Sequence, residues 1–380
     1  MIARLKKRLD RRLGEALFLR AHKDFVQDDM RRRTPVLMAA YALAGLVLLT
    51  PIVMLAAGLA LLWFAWSSLL GLVFGAVFLG VGWMLLPRRP RLPPRCLRRA
   101  DLPRTFAMLD RLAGLLDGPP ITAVTIEATF KAHVHTVGRD RVLGLGALLW
   151  RGLDGPQRLA LLAHEQAHLV NGDPARGVVL GAAQSTLEGW YYLFTPSEVV
   201  DEFGMRYPDG DHFGIFTALL SGAMRVLVEI PLVLLERLSY FPQQRAEYLA
   251  DALSARVAGI DPMRGLLRHL ALAGQIEPSL SRINDLAPPR GLDMLDTLAG
   301  GLTGLDAAGR ERLMHRMQTE HLSVDGTHPP TAYRLAFLDV IPATPPQLIA
   351  NPEKMAAIDA ELAPHFARLG DRVANTVLRQ

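Results

Sequence analysis

Charge is missing from one long stretch of this 380-residue chain, and cysteine is missing from nearly all of it. From Thr34 to Pro87 there is no Asp, Glu, Lys or Arg. A helix on the surface of a soluble domain needs a polar face, and this run offers none. One bilayer crossing takes about 20 apolar residues. Residues 34–87 therefore have room for a transmembrane hairpin, with helices near 36–58 and 62–86 joined by a tight turn. The run is too long for a removable signal peptide and lacks a small-residue cleavage site, which predicts an uncleaved anchor. The single cysteine, Cys96, excludes a disulfide framework and a cysteine-based zinc site. Its place beside the apolar run permits palmitoylation, but an unmodified thiol is the plainer reading.

What charge there is gathers around that run. Residues 1–33 hold eleven Lys and Arg against five acids, and residues 88–104 hold seven Arg against Asp101. Each flank nets +6, so the rest of the chain carries about −7 against the total of +5. Basic flanks stay on the cytoplasmic side of a membrane, so both ends of the hairpin are expected there. The high isoelectric point, near 9.5, thus reports membrane flanks, and no nucleic-acid partner is expected. Within 1–33, Ile2, Leu5, Leu9, Leu13 and Leu17 recur at helical spacing between basic residues. That pattern suits an amphipathic cytoplasmic segment on anionic lipid, or a plain solvated helix.

Beyond the hairpin, 88–100 reads as a basic, Pro-rich linker that cannot continue a helix. Helical periodicity resumes over 101–117. "ITAVTI" and "KAHVHTVGRDRVLGLG" then read as strands, the second turning at Gly138-Arg139-Asp140. His133 and His135 alternate along it. H-x-H can bind metal, but without a nearby third ligand a half-exposed strand is the simpler account. Two weaker apolar segments, 177–196 and 213–236, flank an acidic loop and suggest a second membrane hairpin. They hold Glu188, Arg225 and Glu229, of which the last two can offset one another at i,i+4. Residues 341–380 read as a C-terminal helical extension.

The chemistry concentrates in "HEQAH" at 164–168. Asp154 and Gln157 have capping-box spacing, Pro156 sits in the first turn, and Asn171-Gly172 closes the helix. His164 and His168, four residues apart, project from one face. Glu165 lies about 100° further round, beside the open position of any metal held by the two imidazoles. A catalytic zinc takes three protein ligands and leaves a fourth place for water. The candidate third ligand comes from "FPQQRAEYLADALSARVAG" (241–259), read as a helix opened by Pro242. There Glu247 could ligate while Asp251 accepts the free N–H of a ligating imidazole. The alternative is an exposed acidic face pairing with Arg245 or Arg256.

"AHEQAHLVNGD", "RAEYLAD" and "THPPTAYRLAFL" stand in the order and spacing of the HtpX-like membrane zinc metalloproteases, gluzincins related to the CAAX prenyl proteases. The chain resembles that family from the first hairpin to about residue 340. The resemblance implies one Zn²⁺ per chain on His164, His168 and Glu247, with Glu165 as general base and Asp251 as support behind the ligands. It maps the family's His-Pro and following Arg onto His328 and Arg334, near the cleft, with His328 assisting the oxyanion and Arg334 supporting substrate or oxyanion. It also implies the second hairpin between the two zinc motifs. Gln166-Ala167 stands where the family has an apolar residue and Gly, and "EATFKA" where it has an Asn-Ala dipeptide.

The resulting expectation is a mainly α fold with a small β-sheet (α+β), in which a gluzincin-type domain (101–340, interrupted at 177–196 and 213–236) is attached to transmembrane hairpins. Its function would be zinc metalloendopeptidase activity on membrane or misfolded polypeptides. The enzyme would be multi-pass in a bacterial-type cytoplasmic membrane, with its catalytic domain in the cytoplasm and a role in quality control. Its partners would be the polypeptide substrate and the lipid bilayer; no feature of the sequence sets an oligomeric state. Three alternatives share the motifs. A CAAX-type prenyl endopeptidase needs more crossings, and a tethered signalling protease needs an outside sensor domain. A non-catalytic zinc protein has no use for Glu165.

Overall fold

A computed structural model describes residues 18–20, 23, 35–87, 92–93, 95–171, 173–193, 199–200, 206–207, 214–273, 289–303, 311–312 and 329–377. The chain divides into two compact units, one formed by residues 1–32, 90–174 and 243–380, the other by 33–89 and 175–242. Among the described residues the architecture is mainly helical with one three-stranded sheet and a two-stranded ribbon.

The second unit contains α1 (Pro35–Phe64) and α2 (Leu69–Met84), followed later in the chain by most of α6 (Asp173–Leu193) and the first part of α7 (Gly214–Ala258). Ser68 caps α2 by accepting from the Gly71 N–H. The two helices approach closely at glycines: a Cβ on Gly58 would meet the Gly75 carbonyl oxygen at 2.9 Å. Small residues permit that approach between apolar helices. Leu37, Ala40, Ala44 and Val47 recur at helical spacing on α1 and pack with Leu180, Ala183 and Leu187 of α6 and Val228 and Leu235 of α7. Much of the rest of the apolar surface faces outward, including Leu46, Leu59, Trp63, Phe64 and Leu70. Among the described residues one helix, α1, is long and apolar enough to cross a membrane, and α2 is a shorter apolar helix. Strands β4 (Val199–Val200) and β5 (Arg206–Tyr207) pair antiparallel between α6 and α7.

The first unit opens on α3 (Pro103–Leu115), with Pro103 at its first position, where a missing N–H costs nothing. The sheet follows: β1 (Ala123–Glu127), β2 (Ala132–Val137) and β3 (Asp140–Gly146), in the order β1-β3-β2. The β2–β3 turn runs through Gly138, whose φ of +62° suits glycine. β3 pairs parallel with β1 and antiparallel with β2, leaving β2 at the sheet edge. The outer side of β1 carries a bridge from Leu97 to Val124. Then come α4 (Ala147–Gly152), α5 (Gly155–Val170), the last part of α7, α8 (Ile260–Ala273), α9 (Gly291–Thr303), α10 (Thr331–Val340) and α11 (Pro352–Val377).

Leu143 and Leu145 of β3, Leu159 and Leu162 of α5, Leu249 and Leu253 of α7, and Phe337 of α10 share one buried core. Phe18 also packs on it, its ring stacked on Tyr333 and edge-on to Tyr248. The expected helix start at Pro242 is not there: α7 runs unbroken through both Pro231 and Pro242. Each proline removes one backbone hydrogen bond, and a helix of 45 residues keeps its neighbouring turns.

Candidate metal centre

The helix bearing HEQAH begins as its sequence predicts. Asp154 accepts from the Gln157 N–H at 2.8 Å while the Gln157 side chain accepts from the Asp154 N–H, a complete capping box. Two contacts then hold α5 in place. Ser254 of α7, fully buried, donates to the Ala160 carbonyl at 2.7 Å. Gln166 donates to the Pro119 carbonyl at 2.9 Å, tying the helix to the loop before β1. A Cβ on Gly118 would strike that Gln166 side chain, so glycine there leaves room for the tether. Neither Ser254 nor Gln166 was a candidate from sequence, because each acts on a backbone carbonyl that only the packed structure brings near.

The α5 and α7 helices bring His164, His168 and Glu247 together. Nε2 of His164 lies 3.1 Å from Nε2 of His168. The Glu247 carboxylate reaches both rings, at 3.6 Å from His164 and 3.5 Å from His168. A tetrahedral zinc with bonds of about 2.05 Å requires its ligand atoms to stand about 3.3 Å apart. The two imidazole nitrogens, 3.1 Å apart, are close to that spacing; Glu247 turns Oε2 toward His164 and Oε1 toward His168, and one ligand atom from each of the three residues lies within 4.8 Å of the others. Nitrogen-nitrogen-carboxylate is a donor set zinc accepts. Among the described residues this is the group of three or more potential ligands that could hold a metal. Glu247 is 5% exposed, so it is not part of a solvated acidic face.

A charged layer stands behind the three donors. Asp251, one turn beyond Glu247 and fully buried, places Oδ1 3.1 Å from His164 Nδ1, although the ring is not aligned for an ideal hydrogen bond. Arg334 of α10 grips the same carboxylate with both arms, Nε donating at 2.8 Å and a terminal nitrogen at 2.6 Å. That second nitrogen also lies 3.3 Å from Glu247. Arg334, expected near the cleft, is 5% exposed and turned toward Asp251. Glu165 is equally buried and acts electrostatically on His168. His328 lies outside the described residues.

The burial and the charges compete. Burial disfavours a protonated His164, but Asp251 and Glu247 outweigh it and raise its pKa to about 9 in the metal-free protein. That proton would have to leave before Nε2 could ligate. Burial, aided by His164, lowers the pKa of His168 and favours the neutral, ligating form. Burial also opposes ionisation of Asp251, yet Arg334 and His164 hold its carboxyl below the usual range. Arg334 stays charged against burial because it faces Asp251 and Glu247.

A mainly helical domain with two histidines from one helix and a glutamate from another defines a metallopeptidase-like arrangement. Residues 122–341 match Peptidase family M48, more than half of the chain, and the chain belongs to that family. Members of the family are zinc metalloproteases, so metallopeptidase activity on polypeptides follows at the level of the family. No curated protein and no solved structure matches the chain.

Proposed function

We propose that this chain is an HtpX-like, membrane-embedded zinc endopeptidase that hydrolyses membrane or misfolded proteins at the cytoplasmic face. The observation that carries the reading is the His164–His168–Glu247 triangle with Glu165 on the neighbouring helical position. His164, His168 and Glu247 would hold the ion. When bound, zinc supplies Lewis acidity, polarising a carbonyl and acidifying water. Glu165 takes the proton from the attacking water and returns it to the leaving amine. Asp251 fixes the orientation of the His164 ring, and Arg334 fixes Asp251. His328 is assigned to oxyanion support through the family resemblance.

The substrate would lie extended along β2. This strand is paired on one side by β3, lies against α5, and has no described strand on its other side. An added peptide strand there would take its backbone hydrogen bonds from β2, the strand that lies against the helix bearing Glu165. Membrane embedding is supported by α1, by the outward apolar side chains of α1 and α2, and by the basic residues on both flanks. The proposed second hairpin corresponds to α6 and the first part of α7, which also present outward apolar residues such as Val178, Leu219, Leu227 and Ile230.

The test pairs metal content with cleavage of an unfolded model protein, for wild type and Glu165→Gln in detergent. The proposal expects one zinc per chain in both proteins and cleavage by wild type alone. Loss of proton transfer should lower the rate by about 10²–10⁴-fold. Failure of either protein to take up stoichiometric zinc would overturn the metal assignment, and undiminished cleavage by the variant would remove Glu165 from the mechanism.

A further inference from the structure

Away from the metal centre, the first unit holds a cavity of about 600 Å³ lined by arginine. Arg95 reaches it from the segment that follows the uncharged run, and Arg368 and Arg372 reach it from α11. His365 joins them; with Arg368 and Arg372 it occupies positions i, i+3 and i+7, one face of the helix. Leu97 and Ile126 supply the apolar part of the wall.

Like charges four apart on a helix repel, and the wall sets three arginines against one carboxylate, Asp101. Burial, then Arg95 and Arg368, lower the pKa of the Arg372 guanidinium. Burial and Arg368 likewise lower that of His365. The neighbouring acids, Asp101 on the wall among them, hydrogen-bond to backbone N–H groups and make no ion pair with these arginines. Asp101 accepts from the Arg98 backbone N–H at 2.8 Å. Glu361 accepts from the backbone N–H groups of Arg104 and Thr105, both at 2.8 Å, and Asp371 from that of Gly291 at 2.9 Å. Arg98 and Arg99, only a few residues from Arg95, are each held by both arms, on Asp140 and Asp110. Among the described residues, Arg95, Arg368 and Arg372 have no such carboxylate partner. Cys96, its thiol pKa raised by burial, adds no charge.

We propose that this cavity is a binding site for a phosphate group, carried either by an anionic phospholipid or by a free phosphate compound. Three arginines against the single carboxylate of Asp101 leave the wall net positive, which suits a tetrahedral oxyanion whose several acceptor oxygens can each take a forked N–H pair. Arg95 stands eight residues after the uncharged run ends at Pro87, on the stretch that leaves the expected membrane hairpin. The site shares no residue with the metal centre, so the inference stands independently of the peptidase reading.

The test uses the full chain, delipidated in non-ionic detergent, titrated by calorimetry against two probes at constant ionic strength. One probe is inorganic phosphate; the other is dihexanoyl phosphatidylglycerol below its micelle concentration. Wild type should bind at least one probe saturably, near one per chain. Arg368→Gln/Arg372→Gln and, separately, Arg95→Gln should weaken that binding by about tenfold or more. Binding of both probes identifies a free-phosphate site, and binding of the lipid alone identifies a headgroup site. Absence of saturable binding to either probe would overturn the proposal, as would variants that bind like wild type. Arg95 is exposed on an irregular segment, so its variant remains informative should the helix double variant fail to fold.

Discussion

Replacing Arg334 by methionine removes the guanidinium from Asp251 while leaving a side chain of similar length. Asp251 is fully buried, and it would lose hydrogen bonds of 2.8 and 2.6 Å together with the compensating charge. Removing one partner of a buried ion pair costs about 3–5 kcal/mol, because the remaining charge is stranded. For a unit of this size that corresponds to a fall in melting temperature on the order of 10 °C in the chelator-treated protein. A second effect reaches the proposed ligands. Asp251 is the carboxylate beside His164 Nδ1, and loss of such support typically weakens metal affinity by about 10–100-fold.

The double variant Asp251→Leu/Arg334→Met separates the two effects. With both charges gone, no charge is stranded, and much of the lost stability should return. Metal affinity should not return, since the imidazole has no carboxylate behind it. Thermal unfolding with and without zinc, and competition against a coloured chelator, measure the two quantities independently. The reasoning fails if Arg334→Met melts within about 2 °C of wild type, since that is the shift expected for less than about 1 kcal/mol.

Three further outcomes follow from contacts elsewhere in the first unit. Ser254→Ala leaves the buried Ala160 carbonyl without its 2.7 Å partner and should cost about 1–3 kcal/mol; a melting temperature equal to wild type would show that the link between α5 and α7 is unimportant. Gly370→Ala would place a Cβ 1.8 Å from the Gly291 carbonyl oxygen, where α11 meets α9, and should destabilise by about 1–3 kcal/mol or more. Gly114→Ala, whose Cβ would meet nothing within 4 Å, should be neutral or stabilising by up to about 1 kcal/mol, and the reverse order of these two variants would refute the packing described. Burial holds the pKa of His269 below its ordinary 6.5, though Asp154 partly opposes the shift. The unfolded chain therefore binds this proton more readily, so the His269 contribution to stability is complete above pH 6.5 and is lost as pH falls through that value toward the folded one. His269→Gln should show a shallower decline in stability between pH 6.5 and 5 than wild type, and unchanged slopes would contradict it.

The parts legible in the sequence are those whose cause is local. Asp154 and Gln157 announce the start of α5 because a capping box needs only residues three apart. Gly138 announces the β2–β3 turn because its backbone conformation disfavours other residues. The uncharged run announces α1 and α2 because no polar face could be drawn on either. Pro242 misled for the same reason: read over a few residues it opens a helix, whereas the observed helix begins at Gly214 and carries the proline inside. HEQAH revealed two donors at once, because four residues of helix bring His164 and His168 onto one face. Glu247 becomes a candidate third ligand once HEQAH supplies two histidines, and the family resemblance favours that role over a solvated acidic face. Arg334 is 83 positions from Asp251, and no periodicity connects them. Its grip on Asp251, the residue behind His164, is created when α10 packs into the core through Phe337 and Leu338. Substitutions at these distant partners thus probe the proposed metal centre more selectively than substitutions of the ligands. Removing a ligand abolishes binding whatever holds it, whereas Arg334→Met with its double variant asks whether the observed packing is what holds it.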